Sequence, residues 1–247
     1  MAEKSLSPAE VKKILQAGLP QAEFKNRKVL LIVPDHTRTA PVGQLFKETH
    51  AWIGPLAKQV DVMVALGTHP PMSEEAICKR LDLTVEEKRK SYPNVQLLNH
   101  AWDDDRALVE IGKIPSIEIR DLTGGLFEME VKVRINRAAL EYDELVILGP
   151  TFPHEVVGFS GGNKYLFPGI SGPEVLNFFH WLGAVVTNPG IIGKKWTPVR
   201  KVVDRAAALV KTRKWCACVC PEHPPFVKNL FSCVLEHISN AKNRTLV

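Results

Sequence analysis

The chain reads as an α/β protein with a Rossmann-like, mostly parallel sheet flanked by helices and carrying an added β-hairpin. Three observations predict this. Four short continuous apolar runs, at 28–33, 60–66, 95–98 and 144–148, have the length and composition of central strands buried on both faces. Helical patterns over 42–56 and 74–81 separate the first three runs, and a strand, helix, strand, helix order implies right-handed parallel crossovers. The 247 residues, 45% of them hydrophobic and 24% charged, are enough to bury one large core.

The remaining elements follow from local chemistry. Ser7-Pro8-Ala9-Glu10 combines an N-cap, a proline at the first helical position and a Glu that reaches back to the cap, so a short helix opens the chain. Ser73 is a cap of the same kind for the helix over 74–81. Between Ile117 and Ile135 apolar and polar residues alternate on both sides of Gly124-Gly125, which predicts the hairpin. Ser171-Gly172-Pro173-Glu174 reads as a capping box opening a helix to about Val186, and Thr197-Pro198 opens the last clear helix. These elements make one α/β domain over residues 1–214. From Trp215 the character changes: a possible strand, then Pro221, Pro224 and Pro225, then a helical stretch, so 215–247 reads as an atypical Cys- and Pro-containing tail of unassigned role.

Charge and cysteine usage exclude some classes of function. The formal net charge is +5, and the segment from Lys194 to Lys214 holds eight Lys and Arg against Asp204 alone. Val199, Val202, Val203, Ala206, Leu209 and Val210 recur there at helical spacing, with Arg200, Lys201, Arg205 and Lys211 on the other side, the pattern of a solvated helix face. Trp196 is the single aromatic residue among the basic ones, too few for a stacking platform, so nucleic-acid binding is not expected. No apolar run approaches the roughly 18 residues of a membrane span, and the start MAEKSLSPAE has no secretory pattern, so a cytoplasmic protein is expected. Cys78, Cys216, Cys218, Cys220 and Cys233 lack the paired C-x₂-C spacing of zinc modules and read as reduced thiols.

The polar residues after the four runs form a pattern of their own. They are Pro34-Asp35-His36-Thr37-Arg38, Gly67-Thr68-His69-Pro70, Asn99-His100 and Gly149 through His154. A single histidine after a strand is ordinarily a turn residue or a cap. Four histidine-bearing segments at the carboxyl ends of one sheet, where ligands bind in open α/β folds, point to a shared site. His154 to Gly172 then brings Gly158, Gly161, Gly162, Gly169 and Gly172, and Ser160-Gly161-Gly162 offers backbone N–H groups to a phosphate. The segment matches neither a Walker A motif nor a strand-linked G-x-G-x-x-G. Lys164 beside the glycines reads as a phosphate contact, a nucleophilic amine or an exposed loop lysine. On a helical wheel His180 lies opposite the arc of Val175, Phe178, Phe179, Leu182 and Val186, so it faces solvent or the site, where it would suit a metal.

The segments DHTR at 35–38, GTH at 67–69, NHAW at 99–102 and PHEVVGFSGGNKYLFPGISG at 153–172, followed by His180, resemble the N-terminal domain of the lactate racemase family, the nickel-pincer nucleotide enzymes. The resemblance covers about residues 25–210, and the block from His154 to His180 is its most specific part. It implies a racemase or epimerase of 2-hydroxy acids, working by proton-coupled hydride transfer to a nickel-pincer nucleotide covalently attached at Lys164. His180 then resembles the metal ligand, His69 and His154 the two acid/base histidines, Arg38 the substrate-anchoring arginine and Asp35 an accompanying carboxylate. Ser160, Gly161 and Gly162 fall in the cofactor-binding loop. A small 2-hydroxy acid and the proteins that make the cofactor are the implied partners.

Racemisation needs a base for each face of a planar 2-oxo acid, and imidazole has a pKa near the working pH. An Arg fork matches a carboxylate bidentately. Two features depart from the family. Its members carry a C-terminal domain that closes the cleft and is expected to be absent here, and GTHPPM replaces the GTHRP form of lactate-active members. Two rival readings are a truncated, non-catalytic cofactor-binding module and a zinc hydrolase using His69, His154 and His180.

Overall fold

The computed structural model describes residues 6–220 in full and the backbone of 221 and 227–234. Its first half alternates helix and strand: α1 (Pro8–Gly18), β1 (Lys28–Pro34), α2 (Val42–Ile53), β2 (Gln59–Ala65), α3 (Glu74–Arg80), α4 (Val85–Ser91) and β3 (Leu97–Asn99). A hairpin follows, formed by β4 (Leu108–Ile114) and β5 (Val131–Asn136) with α5 (Ser116–Thr123) between them. The second half comprises α6 (Ala138–Glu141), β6 (Glu144–Pro150), the short β7 (Pro153–His154) and β8 (Gly158–Phe159), α7 (Pro173–Val186), α8 (Asn188–Ile191), α9 (Pro198–Ala207), β9 (Arg213–Pro221) and β10 (Val227–Val234). Among the described residues no helix is long and apolar enough to cross a membrane.

The main sheet runs β10-β9-β6-β1-β2-β3, with five parallel strands and β10 antiparallel to β9. Alternation along each strand sends side chains to two separate cores. From β1, Val29, Leu31 and Val33 pack with Val11 and Leu15 of α1 and Leu45 and Phe46 of α2. Leu30 and Ile32 face the opposite way, onto Ile119 of α5, Phe178 of α7 and Val202 of α9. Burying each such side chain is worth about 1.5–3 kcal/mol, so strands apolar on both faces need a helical layer on each side. The chain runs outward from β1 through β2 to β3, then returns to the other side of β1 with β6 and β9. Loops leaving β1 and β6 therefore diverge, and a crevice opens between them at the carboxyl edge.

Four local expectations are corrected. Residues 117–123 are helical, because Pro115 starts a helix in which Ile119 and Thr123 share the buried face. Gly124, at φ 66°, ends that helix, and the Gly125 N–H donates to Arg120 O at 2.8 Å. The hairpin thus pairs β5 with β4, not with 117–123. Ser171 does not cap α7: the cap position is Gly172, and Ser171 is fully buried with its hydroxyl turned to the Pro168 and Gly172 carbonyls. The third run, expected as a central strand, is the edge strand β3.

The fourth correction concerns the tail. Strand β9 crosses the boundary drawn at 214/215 and pairs with β6 along its length, with Trp215, Ala217 and Val219 in one core and Cys216 and Cys218 in the other. Residues 227–234, within the expected helical stretch, form strand β10; the rest of that stretch, with His223, Pro224, Pro225 and His237, lies outside the described residues. Cys78 and Cys220 are free thiols, and Cys216 and Cys218 meet Sγ to Sγ at 2.7 Å.

Candidate active site

The crevice at the ends of β1, β2 and β6 contains a cavity of about 290 Å³. Asp35, Arg38, His69, His154, Ser160, Gly161, Lys164 and His180 all line it. Gly162 sits just off the wall, its N–H turned toward the Cys218 thiol. Two of the four strand-end histidines do not take part. His36 is exposed outside the cavity. His100 is buried at 2% exposure, where its Nε2–H donates to Ser171 O at 3.0 Å and its Nδ1 accepts from Asn136 Nδ2 at 3.1 Å. It ties β3 to β5 and to the entry of α7, and burial pushes its pKa down to about 4.

Asp35 is 3% exposed. One carboxylate oxygen accepts from the Thr37 N–H at 3.0 Å and the Thr37 hydroxyl at 2.6 Å, and the other is bonded to His69 Nδ1. Burial works to raise the carboxyl pKa, but the hydrogen bonds from Thr37 and His69 outweigh it and leave it below the ordinary value. A carboxylate only accepts, so His69 carries its hydrogen on Nδ1 and leaves the Nε2 lone pair for a ligand. The turn beneath is built on Gly67 at φ 58°, whose N–H donates to Gly169 O at 2.9 Å.

His154 has the opposite tautomer. Its Nδ1 accepts from the Val156 N–H at 3.1 Å, so Nε2 carries the hydrogen. The ring is 4% exposed, and burial together with the charges of Lys164, Arg38 and Arg200 pushes its pKa down to about 3. His180 donates Nδ1–H to Leu176 O at 3.0 Å, which leaves its Nε2 lone pair available to a metal. Arg38 lies with its guanidinium 5.8 Å from the Phe152 ring centroid. Arg80 of α3 braces its loop by donating to the carbonyls of Pro34, Arg38 and Ala40.

Lys164 ends the loop that leaves β8. Ser160 spends its hydroxyl inside the protein, donating to Pro150 O at 3.2 Å and accepting from the Phe152 N–H at 3.0 Å. Gly161 adopts φ 84°, and a Cβ there would lie 2.3 Å from Thr151 Oγ1. The Lys164 amine is open to the cavity but packed about by protein, with its Nζ 5.9 Å from the Phe179 centroid. Burial, then Arg38 and Arg200, push its pKa down to about 8, against Glu155 and Asp35. Near neutral pH a minor but much enlarged fraction of the amine is therefore free compared with an ordinary lysine, the form needed for attack on an electrophile.

Residues 3–190 match the model of the lactate racemase N-terminal domain. The chain belongs to that family. It is 27% identical over 164 residues to the lactate racemase of Lactiplantibacillus plantarum and 26% over 158 residues to that of Thermoanaerobacterium thermosaccharolyticum. Those alignments take in 65% and 61% of this chain but 34% and 31% of the racemases, so the chain spans about a third of the curated relatives it matches. Among solved structures, a Thermotoga maritima protein superposes with TM-score 0.82 at 28% identity, over 95% of this chain and 56% of that one. The lactate racemase apoprotein of Thermoanaerobacterium thermosaccharolyticum superposes with TM-score 0.68 at 22% identity, over 94% and 53%, and shares the fold.

The family member described here carries two features that the sequence reading missed. Arg200, assigned there to a solvated helix face, points inward with its side chain 12% exposed. Its signal was present: Asp204, four residues on, is the sole acidic residue of the basic stretch and meets it as an ion pair at 3.9 Å. Arg80 had no comparable signal. Among the described residues, no three His, Cys, Asp or Glu side chains gather to hold a metal ion, so the donors for a three-histidine zinc centre are not assembled.

Proposed function

We propose that this chain is the cofactor-bearing part of a racemase or epimerase of small, lactate-like 2-hydroxy acids, with a nickel-pincer nucleotide attached at Lys164. The observation that carries the reading is the convergence of Arg38, His69, His154, Lys164 and His180 on one cavity at the β1/β6 crevice. The residues suit such a group: an amine more readily deprotonated than an ordinary lysine for the covalent bond, one imidazole nitrogen left open for the metal, a glycine turn with no room for a Cβ, and guanidinium groups for anions. When bound, the cofactor supplies the acceptor and donor for the C2 hydride. The proteins that make the cofactor are the partners this reading requires.

The chain's own groups bind the acid and move its proton. Arg38 pairs with the substrate carboxylate and fixes which atom enters the cavity. His69, held by Asp35 through Nδ1, presents its Nε2 lone pair and takes the hydroxyl proton. His154, with its hydrogen on Nε2, donates a hydrogen bond to the substrate oxygen. Loss of that proton with the C2 hydride leaves a 2-oxo acid that is planar at C2 and open to return on either face. For the other enantiomer the histidines exchange roles, which requires His154 to move its hydrogen to Nδ1 and release the Val156 N–H.

The experiment is intact mass, peptide mapping around Lys164 and metal analysis on the chain produced alongside the cofactor-making proteins, followed by chiral assay of 2-hydroxy acids. A nickel-bearing adduct on Lys164 with interconversion is expected. A bare lysine would sink the reading, and an adduct without turnover would make the chain a cofactor-binding module.

A further inference from the structure

Helix α9 grips the lysine loop through one arginine and one aspartate. Arg200 donates through Nη2 to Phe159 O, and its Nη1 lies 3.9 Å from Asp204 Oδ1. The same Asp204 oxygen accepts from Asn163 Nδ2 at 3.0 Å. Phe159 and Asn163 bracket the Ser160-Gly161-Gly162 turn, and Lys164 follows directly. Both groups are largely buried, with side-chain exposures of 12% and 16%. Arg200 lies beyond residues 3–190 matched by the family model.

We propose that Arg200 is a positioning residue for Lys164: it anchors the loop that presents the amine, and its charge favours the nucleophilic amine over the ammonium, with Asp204 setting how much of the charge is felt. The inference deepens the reading of Lys164 as the attachment point and rests on it. An ammonium in a poorly hydrated pocket is destabilised by nearby guanidinium charge, and bond formation at nitrogen needs the lone pair. Arg38 acts in the same direction as Arg200, while Glu155 and Asp35 act against both. The imidazoles of His69, His154 and His180 share the cavity, and Tyr165 and the Cys218 thiol lie beneath the loop. A substrate carboxylate would pair with Arg38 and cancel its field. Arg200 is held by Asp204 inside the protein, so its contribution persists.

The test is the pH profile of Lys164 acylation by an N-hydroxysuccinimide ester on the full chain without cofactor, read by peptide mass spectrometry, with circular dichroism confirming the fold of each variant. The wild-type midpoint is expected near 8. Arg200→Gln moves it up toward the ordinary lysine value and lowers labelling at pH 8 by at least about twofold. Arg200→Lys retains the charge and restores the midpoint. Asp204→Asn, nearly isosteric, uncovers the Arg200 charge and moves the midpoint down. A purely structural brace predicts the same direction for both losses, because a loosened loop hydrates the amine and raises its pKa in each. A midpoint that rises in both Arg200→Gln and Asp204→Asn, or stays in place in either, overturns the proposal. The labelling needs no cofactor, so a missing adduct on the co-produced protein would count against the attachment reading alone.

Discussion

The Asp35 carboxylate holds His69 through Nδ1 with one oxygen and accepts both the N–H and the hydroxyl of Thr37 with the other. This arrangement fixes the tautomer of His69, far more exposed than His154, and aims a lone pair into the cavity. Asp35→Asn keeps the shape but offers an amide N–H to one neighbour, which favours the other His69 tautomer. Loss of the correct tautomer in such pairs costs up to roughly 10⁴-fold in turnover. A fall in kcat of about 10²-fold or more is expected, with KM changed far less, because Arg38 still binds the carboxylate. Steady-state racemisation on the cofactor-loaded protein measures it, and an unchanged kcat would remove His69 as the proton acceptor.

Lys164→Arg retains a cation but removes a usable lone pair, since guanidinium does not deprotonate near neutral pH. The expected result is a folded protein with no covalent adduct and no racemisation when produced with the cofactor-making proteins. Intact mass reads this directly. An adduct persisting in the variant would place the attachment elsewhere.

Gly161→Ala introduces a Cβ that meets Thr151 Oγ1 at 2.3 Å, on a backbone at φ 84°. The two effects together are expected to cost on the order of 1–3 kcal/mol and to move the loop that carries Lys164. Adding Thr151→Ala relieves the clash but not the backbone strain, so about half of the lost urea stability should return. No recovery in the double variant would show that strain alone accounts for the loss.

Stability should fall with acid in a particular window. His100 has its folded pKa pushed down to about 4, against about 6.5 in an unfolded chain. Between those values the unfolded chain binds the proton and the folded chain does not, so stability is lost as pH falls from about 6.5 to about 4 and levels off below. The contribution is on the order of 3 kcal/mol. His154, pushed down to about 3, adds a loss of the same sign that extends lower. His100→Gln should lower stability at pH 7, by disturbing the bonds to Ser171 and Asn136, yet flatten the slope between pH 6.5 and 4. Urea midpoints across that range test it, and an undiminished slope would assign the acid sensitivity to other groups.

Much of the architecture was legible because its determinants are local. Continuous apolar runs mark β1, β2 and β6, since strands buried on both faces cannot alternate, and Ser7 and Ser73 cap their helices as their side chains dictate. The misreadings came where local pattern is degenerate. The spacing of Ile117 and Ile119 fits a strand, and the tertiary setting of Pro115 and the α9 face made it a helix. Ser171 matched a capping box, but a neighbouring hairpin and His100 claimed its position.

The site divides in the same way. Residue types and spacing placed the segments bearing Asp35, Arg38, His69 and His154 together, because strand ends of a parallel sheet share one edge, while Lys164 and His180 joined them through the family resemblance. The sequence could not separate His100 from His69, since both follow a strand, and only the surrounding packing buries one and opens the other. It placed Arg200 in solvent because helical periodicity reports which face is apolar and not what that face meets at its margin. The tautomers of His69, His154 and His180, and with them the division of acceptor from donor, were decided by tertiary structure alone. Each depends on whether the second ring nitrogen meets a carboxylate, an N–H or a carbonyl, and that neighbour is set by three-dimensional contact.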